Sequence, residues 1–110
     1  MNHSMYFARR LREARQKSGL SQKALGIKAG IDQFSASPRM NQYEKGKHLP
    51  DLLTVEHLAT ATGFPIPYFF TPEDELAELI AAWGQLEANQ RASLLEAAKQ
   101  LLPTPTPPEL

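Results

Sequence analysis

The 110-residue chain contains no cysteine, so it can form no disulfide framework and offers no thiolate to a metal or a substrate. No apolar run approaches the roughly 18 residues of a membrane span. The first residues, Met1-Asn2-His3-Ser4-Met5-Tyr6-Phe7, lack the basic-then-apolar pattern of a signal peptide, and a cytoplasmic protein is expected. Strand signals are also missing, since no segment alternates with period two for long. No internal repeat is visible. His3, His48 and His57 share neither a face nor a ligand spacing, which argues against a metal site. Asp74, Glu75 and Glu78 read as helix-start charges favoured by the helix dipole, not as a catalytic carboxylate set. With no nucleophile–base pair and no phosphate loop, neither an enzyme nor a cofactor is expected.

Net charge is absent as well, because twelve Lys/Arg balance twelve Asp/Glu. That average hides a split. Residues 1–50 hold ten Lys/Arg against three Asp/Glu, and residues 51–110 hold two against nine, giving halves of +7 and −7. Such asymmetry suggests one half that faces nucleic acid and another with a different task. Charge alone is equally compatible with a solvated face that binds nothing.

Apolar residues recur at helical spacing along almost the whole chain, which is long enough for a modest all-α core. A first helix is expected from about Ser4 to Lys17, with Phe7, Leu11 and Ala14 as its buried stripe. Arg9, Arg10 and Arg12 fall away from that stripe and read as a solvent-facing, attractive field. Gly19 ends the helix, and Ser21 caps the second. Leu25 and Ala29 should face the core, with Gly26 where a neighbouring helix can approach and Gly30 as the stop. Ile31 to Ala36 read as a loop. Ser37-Pro38 then reads as N-cap and first helical residue of a third helix, since proline there loses no needed amide. Met40 and Tyr43 should point inward, leaving Arg39, Asn41 and Gln42 outside. Gly46 stops this helix.

A fourth helix should start at Pro50-Asp51, with Leu52, Val55, Leu58, Ala59 and Thr62 in rhythm, Thr62 being a polar intrusion, and Gly63 as its end. Phe64 to Phe70 reads as one short helical turn that caps the core. Thr71-Pro72-Glu73-Asp74 is a capping signal with Thr71 at the N-cap. The helix after it carries Leu76, Leu79, Ile80 and Trp83 and should break at Gly84. A last helix carries Leu94, Leu95, Ala98, Leu101 and Leu102. The tail from Pro103 to Pro108 cannot continue a helix and should be extended.

Gly19-Leu20-Ser21-Gln22, then Leu25, Gly30-Ile31, and later Tyr43-Glu44-Lys45-Gly46 with Pro50 resemble the Cro/CI-type (XRE) helix-turn-helix repressors over about residues 5–70. The resemblance implies a lambda-repressor-like bundle of five helices in residues 1–70, whose second and third helices read DNA. Residues 71–102 would then be a C-terminal helical hairpin, and 103–110 a Pro-rich disordered tail. By position, Gln22 matches a phosphate-binding residue that braces the reading helix. Ser37, Arg39 and Gln42 match exposed positions of that helix. Arg15 and Glu44 match a buried ion pair. Lys45, Lys47 and His48 match the loop that grips the backbone.

Elementary chemistry fits these roles. Arginine reads guanine and glutamine reads adenine through paired hydrogen bonds. Helix starts at Ser21 and Ser37 present amides to phosphate. Lys23 and Asn41 complete the expected DNA-binding set. One departure stands out: the join between the second and third helices is about four residues too long, so Asp32 to Ala36 reads as an insertion. Phe34 should tuck into the core and pin that loop, and Gln33 should be solvated.

The apolar stripe of Leu76, Leu79, Ile80 and Trp83, with Leu94 and Leu95, either closes the core or joins a second chain. The reading that follows is a DNA-binding transcriptional regulator, a repressor on a palindromic operator, acting as a homodimer through residues 72–102. The alternative is an antitoxin-like or adaptor protein whose acidic C-terminal half binds a protein partner.

Overall fold

The computed structural model describes residues 3–105 and Pro108, with the side chains of His3 and Ser4 and the remaining tail residues outside the description. Half of the expected tail, residues 106, 107, 109 and 110, and the side chain of His3, excluded above as a metal ligand, therefore lie outside it. The described residues are all-helical. The helices are α1 (His3–Lys17), α2 (Gln22–Lys28), α3 (Ala36–Glu44) and α4 (Leu52–Thr62), a 3-10 helix (Ile66–Phe70), then α5 (Asp74–Gln85) and α6 (Ala88–Leu101). None of these helices is long and apolar enough to cross a membrane.

The core forms where the apolar stripes converge. Phe7 and Leu11 of α1, Leu25 of α2, Met40 of α3, and Val55 and Leu58 of α4 are buried around Tyr68 and Phe69. The aromatic run from Phe64 closes one end. Phe7 packs against the Phe69 and Phe70 rings at 5.9 and 5.4 Å, and Tyr68 meets Phe69 edge-on at 5.6 Å. Aromatic pairs in these geometries add to the area they bury. Helix α2 packs mainly on α3 and also on α4. The close approach of α2 to α3 depends on Gly26, because a Cβ there would lie 2.8 Å from Ala36 Cβ and 3.1 Å from Met40 Cγ.

Six sequence expectations need correction. The third helix starts at Ala36, so Ser37 and Pro38 lie inside its first turn and Ser37 is not the cap. The reason is a local turn: the Asp32 carboxylate accepts the Phe34 amide at 3.0 Å and the Asp32 carbonyl accepts the Ser35 amide at 3.0 Å, so the chain winds straight into the helix. Pro38 still costs nothing, because first-turn amides have no intrahelical acceptor. Phe34 does not tuck inward; it is 84% exposed, and Ile31 and Ala36 anchor the loop instead.

Thr71 does not cap α5, whose N-cap residue is Glu73. Its hydroxyl donates to the Pro67 carbonyl at 2.6 Å, which turns it back toward the 3-10 helix. Gly84 does not break α5, which runs on to Gln85. It is a packing glycine, since a Cβ would sit 2.9 Å from the Pro65 ring. Leu52 is exposed and stands outside the fourth-helix rhythm. Thr62 resolves its own polarity by donating to the Leu58 carbonyl at 2.8 Å.

The last correction concerns the arginines of α1. Arg10 is 2% exposed. Its guanidinium donates to the Thr71 carbonyl (2.8 Å), the Pro72 carbonyl (3.0 Å), Asp74 (2.9 Å) and Glu13 (2.9 Å), and it lies over the Tyr68 ring. Arg9 also reaches Asp74, at 3.1 Å, and Arg12 reaches Glu44 at 3.5 Å. These side chains strap α1 to its surroundings. Burial, followed by the bond to Glu13 and the charge of Glu13, pushes the Tyr68 phenol up to about 12.

Helix α6 is different. Its start is fixed by the Gln90 side chain accepting the Glu87 amide at 2.9 Å, and Arg91 donates to the Trp83 carbonyl at 2.9 Å while lying over the Trp83 ring. No residue of α6 is buried. The long axis of the molecule is 64 Å against 31 and 21 Å for the others.

Candidate nucleic-acid interface

The second and third helices form one rigid piece. Ser21 has extended backbone, and its hydroxyl accepts the Ala24 amide at 3.0 Å, so α2 begins at a satisfied cap. Gln22, near the start of α2, donates to the Asn41 side chain of α3 at 3.5 Å. Both are half-buried. Asn41 is thus a brace between the helices more than an outward residue, a role that residue identity alone does not reveal. Lys23 remains exposed.

Helix α3 is two-sided. Ala36, Met40, Tyr43 and Glu44 are buried, while Ser37, Arg39 and Gln42 are exposed. The three-residue spacing puts Arg39 and Gln42 on one outward face, and Ser37 lies toward the opposite edge of the exposed surface. Arg39 is held in place, its guanidinium donating to the Tyr43 hydroxyl at 2.8 Å and lying 5.9 Å from that ring's centre. Asp32 and Asp51 flank it. Hydrogen bonds from Ser35 and Thr54 respectively hold these carboxyls below their ordinary range, and the Arg39 charge adds to the shift at both. The turn after α3 is tied by backbone bonds, with the Lys47 amide donating to the Gln42 carbonyl at 3.0 Å. Lys45, Lys47 and His48 are exposed along it.

Underneath, the Glu44 side chain is completely shielded from solvent. It accepts from Arg15 Nε at 2.6 Å and Arg15 Nη2 at 3.0 Å, a two-point contact. Arg15 also donates to the Leu20 carbonyl at 3.0 Å, just before the Ser21 cap. The Arg15–Glu44 pair therefore joins α1, the approach to α2 and the end of α3.

A helix with an exposed polar face, held to α2 by a glycine contact and to α1 by a buried ion pair, fits what sequence comparison finds. Residues 7–67 match the helix-turn-helix domain family. The chain belongs to the helix-turn-helix family, as an XRE-like regulator. Among solved structures it is similar to the transcriptional regulator BswR, at 46% identity over 86% of this chain and 93% of that chain, with a TM-score of 0.81. Among curated proteins none matches.

In this helix-turn-helix the longer join still leaves the two helices in close contact, with Ala36 against Gly26. The residues suggested for self-association lie elsewhere. Leu76, Leu79, Trp83 and Leu95 are exposed, and Ile80 and Leu94 are half-buried. Pro65, Pro67, Leu79, Ile80 and Trp83 line a surface groove of about 440 Å³.

Proposed function

We propose that the chain is a sequence-specific DNA-binding transcriptional regulator, a repressor that binds a palindromic operator as a homodimer. The observation that carries this reading is the exposed surface of Ser37, Arg39 and Gln42 on α3, with Lys45 and Lys47 beside it. Such a surface suits a helix laid in the major groove, with Arg39 toward guanine and Gln42 toward adenine. Ser21, Gln22 and Lys23 then approach the phosphates at the start of α2, opposite the cationic turn.

The homodimer reading rests on the C-terminal helices. A 14-residue helix with no buried side chain is marginal in water by itself. Its Leu94, Leu95, Ala98 and Leu101 follow helical spacing, with Leu102 just past its end, and the groove lined by Leu79, Ile80 and Trp83 offers an apolar counterpart. A second reading is favoured by the same stripe: the partner could be a different protein, with the chain serving as an adaptor or antitoxin-like module.

Selection of bound sites from random DNA, combined with sedimentation of the free protein, tests the proposal. The expected result is an inverted repeat with half-sites about one helical turn apart and a dimeric mass. Trp83→Ala is expected to shift the protein toward monomer. A single asymmetric site bound by a monomer would remove the homodimer, and no enriched sequence at all would remove the DNA-reading role.

A further inference from the structure

Phe34 is the least explained apolar side chain near the reading helix. Its ring stands 84% exposed, although the residues that anchor its loop, Ile31 and Ala36, are buried. The exposure is not that of a slack loop. The Phe34 amide donates to the Asp32 carboxylate, the Ser35 amide donates to the Asp32 carbonyl, and Ala36 is fixed against Gly26 two residues on. The turn holds the ring out, immediately before the first turn of α3 and five residues from Arg39. A phenylalanine fixed at the backbone has few torsions left to order on binding.

The chemistry of the loop narrows the target. Asp32 to Ala36 contains one carboxylate and no cation. A phosphate is therefore a poor partner for it. Among base edges in the major groove, the one apolar group is the thymine 5-methyl, which accepts contact from side chains such as phenylalanine. Wedging between base pairs is the habit of apolar residues entering from the minor groove, opposite to where α3 would lie.

We infer that Phe34 is a specificity-determining residue whose ring packs on a thymine 5-methyl at the edge of each half-site. This rests on the DNA-reading role proposed for α3. It makes the inserted turn an extension of the reading surface, with apolar readout added to the polar readout of Arg39 and Gln42.

The test removes only the methyl. In the site recovered by selection, each thymine is replaced in turn by deoxyuridine. The wild-type protein is expected to lose about fourfold in affinity at one position per half-site, the worth of one buried methyl. Phe34→Ala is expected to bind the thymine site more weakly and to show no further loss on that replacement, with an unchanged melting temperature. Phe34→Leu should keep part of the penalty. A Phe34→Ala protein that retains the full penalty, or a wild type indifferent to every replacement, overturns the inference while leaving the role of α3 intact. A wild type that selects no sequence overturns both.

Discussion

Glu44→Ala is expected to lower the melting temperature by roughly 12–20 °C. Truncating one partner of a buried ion pair costs about 3–5 kcal/mol, because the other charge is left without its solvent and without its mate. Arg15 would be that stranded charge. Its side chain is only 16% exposed, and it would keep the Leu20 carbonyl alone. The loss should exceed that of a surface pair, whose removal is worth about 0–1 kcal/mol. Circular dichroism during heating measures it. The double variant Arg15→Ala/Glu44→Ala should lose less than the sum of the two single losses, since each deletion relieves the other's unpaired partner. A fall of only two or three degrees for Glu44→Ala would show that Arg15 swings to water and that the pair is dispensable.

Arg39→Ala is expected to weaken specific DNA binding by about 5- to 150-fold, the span covered by one bidentate base contact. Its effect on stability should be modest, because the residue is exposed and the one hydrogen bond lost, to the Tyr43 hydroxyl, is worth about 0.5–1.5 kcal/mol. The contrast with Glu44 is the point. The two residues sit five apart on one helix, and one addresses solvent while the other addresses α1. Arg39→Lys separates charge from geometry, since lysine keeps the cation and loses the fork. Competition assays against nonspecific duplex provide the measurement. A variant that loses specific and nonspecific affinity equally would make Arg39 a phosphate contact.

What could be read in advance follows from how local each cause is. The stripes of Phe7, Leu11 and Ala14, or Val55, Leu58 and Ala59, were legible because burial imposes a period on neighbours in sequence. Ser21 as a cap and Gly26 as a contact point were legible for the same reason. Arg10 was not. An arginine off the apolar stripe normally ends in water, and its burial depends on two carbonyls and a carboxylate more than sixty residues away. Phe34 misled in the opposite direction, because hydrophobicity predicts burial and says nothing of a turn that holds a ring outward. The start of α3 moved by two residues, from Pro38 to Ala36, because an Asp32 turn competes with a Ser37 cap, and two adequate local signals cannot be ranked by residue type.

The arginine straps change what the positive half of the chain can do. Four of its ten Lys/Arg, namely Arg9, Arg10, Arg12 and Arg15, pair with carboxylates of the same chain. Among the described residues, Lys17, Lys23, Lys28, Arg39, Lys45 and Lys47 remain to meet phosphate. Each such meeting releases counterions from the duplex, so six at most set the log–log salt slope of one protomer at roughly −5. A slope much steeper than that would mean the straps let go of their carboxylates when DNA arrives.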